Sequence, residues 1–235
     1  MKGYIRKIIP HSAVDGPGNR MAIFLQGCNL DCQFCHNPET IPVIKTGEKY
    51  SMSVETLVSE VKGYRDYISG VTFSGGECTM QFEFLYEACV RLKALGVNIL
   101  IDSNGTLGQE ALKQLADVVD GFMIDFKANH DEMHMILTAD SNIHIKENLC
   151  LLASLKKLYE IRMVIIPGHN DPKAMIEWVA KHIMPLDHQV KLELIRFRAH
   201  GVRRIAKAFE TPSEKEMDQL LTFANLHGIK DVVIK

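Results

Sequence analysis

No stretch of the 235 residues approaches the roughly 20 consecutive apolar residues of a membrane-spanning helix. The opening MKGYIRKIIPHSAVDGPGNR has a few basic residues but no apolar stretch long enough for a signal peptide, so a cytoplasmic chain with no membrane role is expected. Charge of one sign is not in excess either: 27 Lys and Arg face 29 Asp and Glu. Neither a basic field for nucleic acid nor an acidic disordered tail is present, and partner choice has to rest on local features. Internal repeats, low-complexity tracts and linkers are also missing, although PVIKTGEKYSM at 42 to 52 reads as a longer loop. The chain is read as one domain over 1–235, long enough to bury a single large core.

What is present is an alternation. Apolar, β-branched runs at 21 to 26, 70 to 73, 97 to 102, 121 to 126, 161 to 166 and 190 to 195 have the character of buried strands. Between them, Ser53 stands as an N-cap before Val54, Leu57, Val58, Val61 and Tyr64, whose spacing makes one helical face that Gly70 is expected to end. Phe84, Leu85, Ala88, Cys89, Leu92 and Leu95 repeat that pattern, and further helices are expected near 107 to 117, 143 to 157, 172 to 184 and 212 to 227. Strand followed by helix, repeated six times, gives an α/β fold with a parallel sheet. The pattern alone leaves open a partial (β/α)6 barrel or a doubly wound sheet.

Six cysteines in a cytosolic chain argue against a disulfide framework, and Cys28, Cys32 and Cys35 fall within eight residues of GCNLDCQFCHNP. Such a loop can fold three thiolates around one inorganic cube, and three ligands instead of four leave one iron open for chemistry. A zinc site would ask for a fourth ligand such as His36, which is awkwardly placed beside Cys35 to close the same tetrahedron. Cys89, on an apolar helix stripe, and Cys150, in NLCLLASL, read as core residues. Cys78 adjoins Glu77, so a role in the site stays open for it.

Other motifs close the later strands. In FSGGEC, Gly75 and Gly76 leave backbone groups uncovered for a charged ligand and Glu77 offers a carboxylate, although the segment alone could be only a tight turn. DSNG ends the third strand with Asp102, and DFK ends the fourth with Asp125 and Lys127; aspartates in such places commonly cap turns. Arg162 is read at the start of the fifth strand, and RFRAHG closes the sixth. The cysteine loop, SGGE, DSNG, DFK and RFRAH would converge on one mouth at the carboxyl ends of the strands.

The three-cysteine spacing, with aromatic Phe34 before the last cysteine, resembles the signature of the radical S-adenosylmethionine (SAM) superfamily, and SGGE resembles its GGE segment. KIIPHSAVDGPGNR and the later motifs extend the likeness over nearly the whole chain to the activases that install glycyl radicals, such as the pyruvate formate-lyase activating enzymes. The resemblance implies a partial (β/α)6 barrel, one [4Fe-4S] cluster on Cys28, Cys32 and Cys35, and reductive cleavage of SAM to a 5′-deoxyadenosyl radical. It implies SAM contacts at Phe34, His36, Gly75, Gly76, Glu77, Asp125, Lys127, Arg162 and Arg198, and a monovalent cation at Asp102 and Asp125. Asp15 and Gly16 of VDGPG, otherwise readable as a turn, would lie beside the glycine loop of a partner enzyme, a glycyl radical enzyme.

There is one departure: the activases have a His where this chain has Arg198, so Arg198 or His200 takes the adenine contacts. The ferredoxin-like, cysteine-rich insert of many relatives is missing after Cys35, which leaves one cluster and an external flavodoxin or ferredoxin as electron donor to a monomeric, oxygen-sensitive oxidoreductase. The competing readings are a radical SAM enzyme acting on a small molecule and a single-cluster electron carrier.

Overall fold

The computed structural model describes residues 1–43 and 50–235, so most of the loop expected over 42 to 52 lies outside the described residues. The chain divides into two compact units. The first comprises Met1–Asn29, Glu39–Ser103 and Leu107–Phe122; the second comprises Leu30–Pro38, Asn104–Thr106 and Met123–Lys235.

In the first unit, β1 (Lys2–Ser12) turns back into β2 (Arg20–Leu25), and β3 (Ser51–Ser53) leads into α1 (Val54–Tyr64). Then follow β4 (Gly70–Gly75), α2 (Phe82–Ala94), β5 (Ile99–Ser103), α3 (Gln109–Val118) and the first two residues of β6 (Gly121–Asp125). The strand order is β3-β1-β2-β4-β5. β2, β4 and β5 are parallel, while β1 runs antiparallel to both β2 and β3. Pro10, which has no N–H for the ladder, falls where the β1–β2 register shifts between Ile9 and Ser12.

Alternation along the strands sets two faces. Met21, Ile23, Leu25, Val71, Phe73, Ile99 and Ile101 are fully buried on one face. The other carries Arg20, Thr72, Ser74, Leu100 and Asp102. Ser53 caps α1 as expected, accepting from the Thr56 N–H at 3.1 Å. Gly70 does not end that helix, which stops at Tyr64 before a 3-10 turn; Gly70 opens β4 instead. A Cβ there would stand 2.4 Å from the Asn98 carbonyl and 2.9 Å from the Arg20 guanidinium, so the site admits only glycine.

In the second unit, the rest of β6 is followed by α4 (Asp131–Thr138), α5 (Ile143–Ser154), β7 (Leu158–Ile165), α6 (Pro172–His182), β8 (Lys191–Arg196), α7 (Glu214–Leu226) and β9 (Val232–Ile234). The strand order is β6-β7-β8-β9, with β7, β8 and β9 parallel. Leu192 and Leu194 of β8 are buried, whereas Glu160, Arg162, Lys191 and Glu193 make a charged stripe on the opposite face. β7 starts three residues earlier than the apolar run suggested, so Arg162 sits in mid-strand and not at its start.

Candidate active site

The glycines of FSGGEC bind backbone to backbone. β2 ends at Leu25, and the Gly76 N–H donates to its carbonyl at 3.0 Å while the Glu77 N–H donates to the Gly27 carbonyl at 2.8 Å. Any Cβ at Gly75 would stand 2.2 Å from the Leu25 carbonyl oxygen, and one at Gly76 would stand 2.3 Å from that of Gly27. These two glycines are therefore required by the approach of the turn to the chain just before Cys28, quite apart from any ligand. On its other side that chain is fixed by Gly27 N–H to Thr40 O at 2.8 Å and Cys28 N–H to Ile41 O at 3.0 Å.

Glu77 is buried and caps the 3-10 turn that follows it: its Oε1 accepts from the Thr79 N–H at 3.1 Å, the Thr79 hydroxyl at 2.6 Å and the Ser103 hydroxyl at 2.8 Å. Cys78 is fully buried, its thiol directed at the carbonyls of Phe73 and Asp102. Burial pushes that thiol well up, with Glu77 and Asp102 adding to the effect. Cys89 is buried as expected, but Cys150 is only half-buried.

Asp102 accepts from the Ser74 hydroxyl at 2.8 Å. One step down the same face, about 7 Å along the strand, the Thr72 hydroxyl donates to the carbonyl of Asp15 at 2.6 Å. The VDGPG turn thus folds over the face that carries Asp102, where it meets Leu100 and Arg20. Gly16 (φ +121°) and Gly18 (φ +75°) hold backbone conformations that side-chain-bearing residues avoid. Beneath the turn, Arg20 is 1% exposed and donates to Thr72 Oγ1 at 2.8 Å and Asn98 Oδ1 at 2.9 Å.

In the second unit Cys32, Phe34 and Lys127 gather. Cys32 and Phe34 are buried, and the Lys127 ammonium lies 5.8 Å from the centre of the Phe34 ring. The same ammonium pairs with Asp125 at 2.6 Å, so that carboxylate already has a cationic neighbour. Burial raises the Cys32 thiol above its ordinary value, a shift that Lys127 only partly offsets. A protonated thiol of this kind gives up its proton when it binds metal.

His36, at the far end of the loop, is exposed; its Nε2 lies 3.0 Å from the Arg198 carbonyl. The Arg198 and His200 side chains are both exposed. Arg162 is 10% exposed, and its Nε donates to Glu160 at 2.7 Å with Glu193 at 4.0 Å. Burial alone would raise the Glu160 carboxyl; Arg162 and Lys191 more than compensate and hold it below its usual value.

Three thiols on a short loop are a soft donor set that suits iron and sulfide, and Lys127 supplies positive charge beside Cys32 to balance a net-negative cluster. Among the described residues no three His, Cys, Asp or Glu side chains close on a point as a single-ion site would. In a cube each thiolate binds a different iron, so the ligands stand farther apart than the about 4 Å of a tetrahedral zinc centre.

The Radical SAM superfamily model matches residues 22–179, which include the cysteine loop, SGGE, DSNG, DFK and Arg162. The chain belongs to the radical SAM superfamily. As a member it is an enzyme whose cofactors are a [4Fe-4S] cluster and SAM. Its fold is the α/β fold of the radical SAM enzymes. A Haemophilus influenzae protein provisionally named a glycyl-radical enzyme activating enzyme is 32% identical over 97% of this chain and 95% of its own length. The pyruvate formate-lyase-activating enzyme of Staphylococcus aureus strain USA300 is 31% identical over 97% of both chains. Among solved structures, a domain of pyruvate-formate lyase-activating enzyme from Bacteroides vulgatus superposes with a TM-score of 0.62 over 71% of this chain and 99% of its own, at 24% identity. QueE from Escherichia coli superposes with a TM-score of 0.63 over 100% of this chain and 94% of its own, at 14% identity. These two likenesses show the fold.

The sequence reading missed α4. Its last turn exposes Met135 and Ile136, so no clean apolar stripe announces it. Yet the carbonyls at its C-terminus hold the cysteine loop, which the His-Met-Ile-Leu run gave no means of seeing.

Proposed function

We propose that this radical SAM enzyme is a glycyl radical enzyme activase, in which Cys28, Cys32 and Cys35 hold the cluster of a single catalytic domain over 1–235. The observation that carries the reading is the stitching of the GGE turn to the residues before Cys28 by the Glu77 N–H and Gly27 carbonyl, at the carboxyl ends of adjacent parallel strands. The names of full-length relatives such as the S. aureus enzyme support the choice of partner.

When bound, the cluster and SAM supply a 5′-deoxyadenosyl radical able to take a hydrogen atom from a glycine Cα. The chain's own residues do the rest. The backbone of Gly75 and Gly76 with Glu77 receives the SAM amino group. Lys127, pre-oriented by Asp125, stands beside the cofactor over Phe34, while Arg162, fixed by Glu160, offers its fork to a carboxylate or ribose. Asp15 and Gly16, on the same face as Asp102, meet the partner's glycine loop. Positioning and exclusion of water and oxygen are the chain's main contributions. An external flavodoxin or ferredoxin provides the electron to this monomeric enzyme. No helix of the described residues is long and apolar enough to cross a membrane, and the reaction is assigned to the cytoplasm.

Anaerobic reconstitution with iron and sulfide, dithionite reduction and assay for 5′-deoxyadenosine test the reading. Release of 5′-deoxyadenosine that is lost in Cys28→Ala, Cys32→Ala and Cys35→Ala is expected. Cleavage retained in all three variants would overturn it, and a cluster without cleavage would favour an electron carrier.

A further inference from the structure

We infer that the segment after β8, from Arg198 to Arg203, is a strap that holds the cysteine loop in shape, with Arg203 as its principal positioning residue. The inference rests on reading that loop as the seat of the cluster.

Residues 31–33 are gripped on both edges. The Asp31 and Gln33 N–H groups donate to the carbonyls of Thr138 and Leu137, each at 2.9 Å, and the Gln33 side-chain amide donates to that of Ile136 at 2.7 Å. Those are the last carbonyls of α4, which a helix C-terminus leaves without an intrahelical partner. From the other edge, Arg203 Nη1 donates to the carbonyls of Asp31 at 3.0 Å and Cys32 at 3.4 Å, and it pairs with the Asp31 carboxylate. Holding both peptide groups of Cys32 fixes the direction of its Cα–Cβ bond, and hence where the thiol points.

One more tie joins the same segments. His36 Nε2 lies 3.0 Å from the Arg198 carbonyl. Gly201, at φ +80°, lies alongside, and a Cβ there would make only an ordinary contact of 3.4 Å with the His36 carbonyl oxygen. The strap thus meets the loop at residues 31, 32 and 36.

Arginine suits the place electrostatically. The C-terminus of α4 presents partial negative charge to a loop that must also carry thiolates, and a guanidinium on the Cys32 carbonyl offsets both. All three contacts are made by one nitrogen, Nη1, whose two N–H groups are shared among the two carbonyls and the carboxylate. The ion pair itself is partly exposed, with side chains 34% and 58% accessible, so its Coulombic share is small and the carbonyl contacts carry the effect.

The test compares Arg203→Met and Arg203→Lys with the unaltered chain in three measurements. These are iron loss to a chelator from anaerobically reconstituted protein, the reduction midpoint of the cluster, and amide hydrogen exchange at residues 31–33 without cluster. Arg203→Met is expected to lose iron about 10-fold faster or more, to have a lower midpoint because a cation has gone, and to exchange faster at 31–33 but not elsewhere. Arg203→Lys should fall between. Iron loss, midpoint and exchange all unchanged in Arg203→Met would overturn the inference. Should that variant not fold, Arg203→Gln, shorter and uncharged, is expected to accelerate iron loss and exchange at 31–33 by a smaller factor, and no acceleration would overturn the inference equally. An unaltered chain that takes up no cluster would instead sink the cluster reading, leaving amide exchange to decide the strap by itself.

Discussion

Replacing Gly76 by alanine puts a methyl group where the structure has backbone. The added Cβ would lie 2.3 Å from the Gly27 carbonyl oxygen, 2.7 Å from its carbon and 2.8 Å from the Thr40 carbonyl oxygen. A carbon–oxygen contact tolerates about 3.3 Å, so the Gly27 peptide must retreat by about 1 Å. That retreat breaks the Glu77 N–H bond to Gly27 O and the Gly27 N–H bond to Thr40 O, both 2.8 Å. At about 1 kcal/mol each, with overpacking of about 1–3 kcal/mol, the loss is about 3–5 kcal/mol. It also displaces the residue preceding Cys28. Urea unfolding of the metal-free protein should read the loss in stability, and iron content after reconstitution should fall. Gly63→Ala in α1 is the control: nothing lies within 4 Å of its Cβ, and the gain in helix propensity should stabilise by about 0.5–1 kcal/mol. A Gly76→Ala protein within about 0.5 kcal/mol of the parent and fully loaded with cluster would refute the reasoning, since surface-type substitutions fall in that range.

Three further outcomes are expected. In metal-free native protein, alkylation at pH 8 should spare Cys78 and Cys89, both fully buried with thiols raised by burial, while Cys28 and Cys35, half-buried, react; equal rates at Cys89 and Cys28 would contradict the packing. Glu160→Gln should destabilise by about 3–5 kcal/mol by stripping a buried partner from Arg162 and Lys191. Because the folded-state pKa of Glu160 is lowered, its contribution is present above the ordinary glutamate value and lost as pH falls below about 4, so acid unfolding curves of parent and variant should converge there. Ser213→Ala should cost about 1 kcal/mol by removing the reciprocal capping of α7 with Glu216, read as a lowered urea midpoint.

All six runs of apolar, β-branched residues became strands, because each lines a buried face of a parallel sheet with such residues. β1 was not foreseen: it is half-exposed along most of its length, pairs with irregular register and includes Pro10, so neither alternation nor continuous apolarity marks it. β3 and β9, three residues each, are too short to leave a pattern. In the candidate site, the cysteine spacing and the GGE turn stood out in the sequence because residue type and separation mark them together, and the structure shows that backbone packing requires the two glycines. The partners of those residues were not. Ser103 on Glu77, Glu160 on Arg162 and Arg203 on Asp31 are joined by folding, across 26, 2 and 172 positions, and their types alone fit any surface. Arg162 shows the cost of reading a boundary from apolar residues, since Glu160 is a buried member of the same strand.

The central claim is that this chain uses its three-cysteine loop to place a radical on a glycine of another protein. It is tested most directly by electron paramagnetic resonance of candidate glycyl radical enzymes incubated anaerobically with the reconstituted chain, SAM and a reductant. The account predicts a glycyl radical doublet on one such partner, absent when Cys32→Ala replaces the unaltered chain. Cleavage of SAM without that doublet on any candidate would contradict the activase reading and turn attention to a small-molecule substrate.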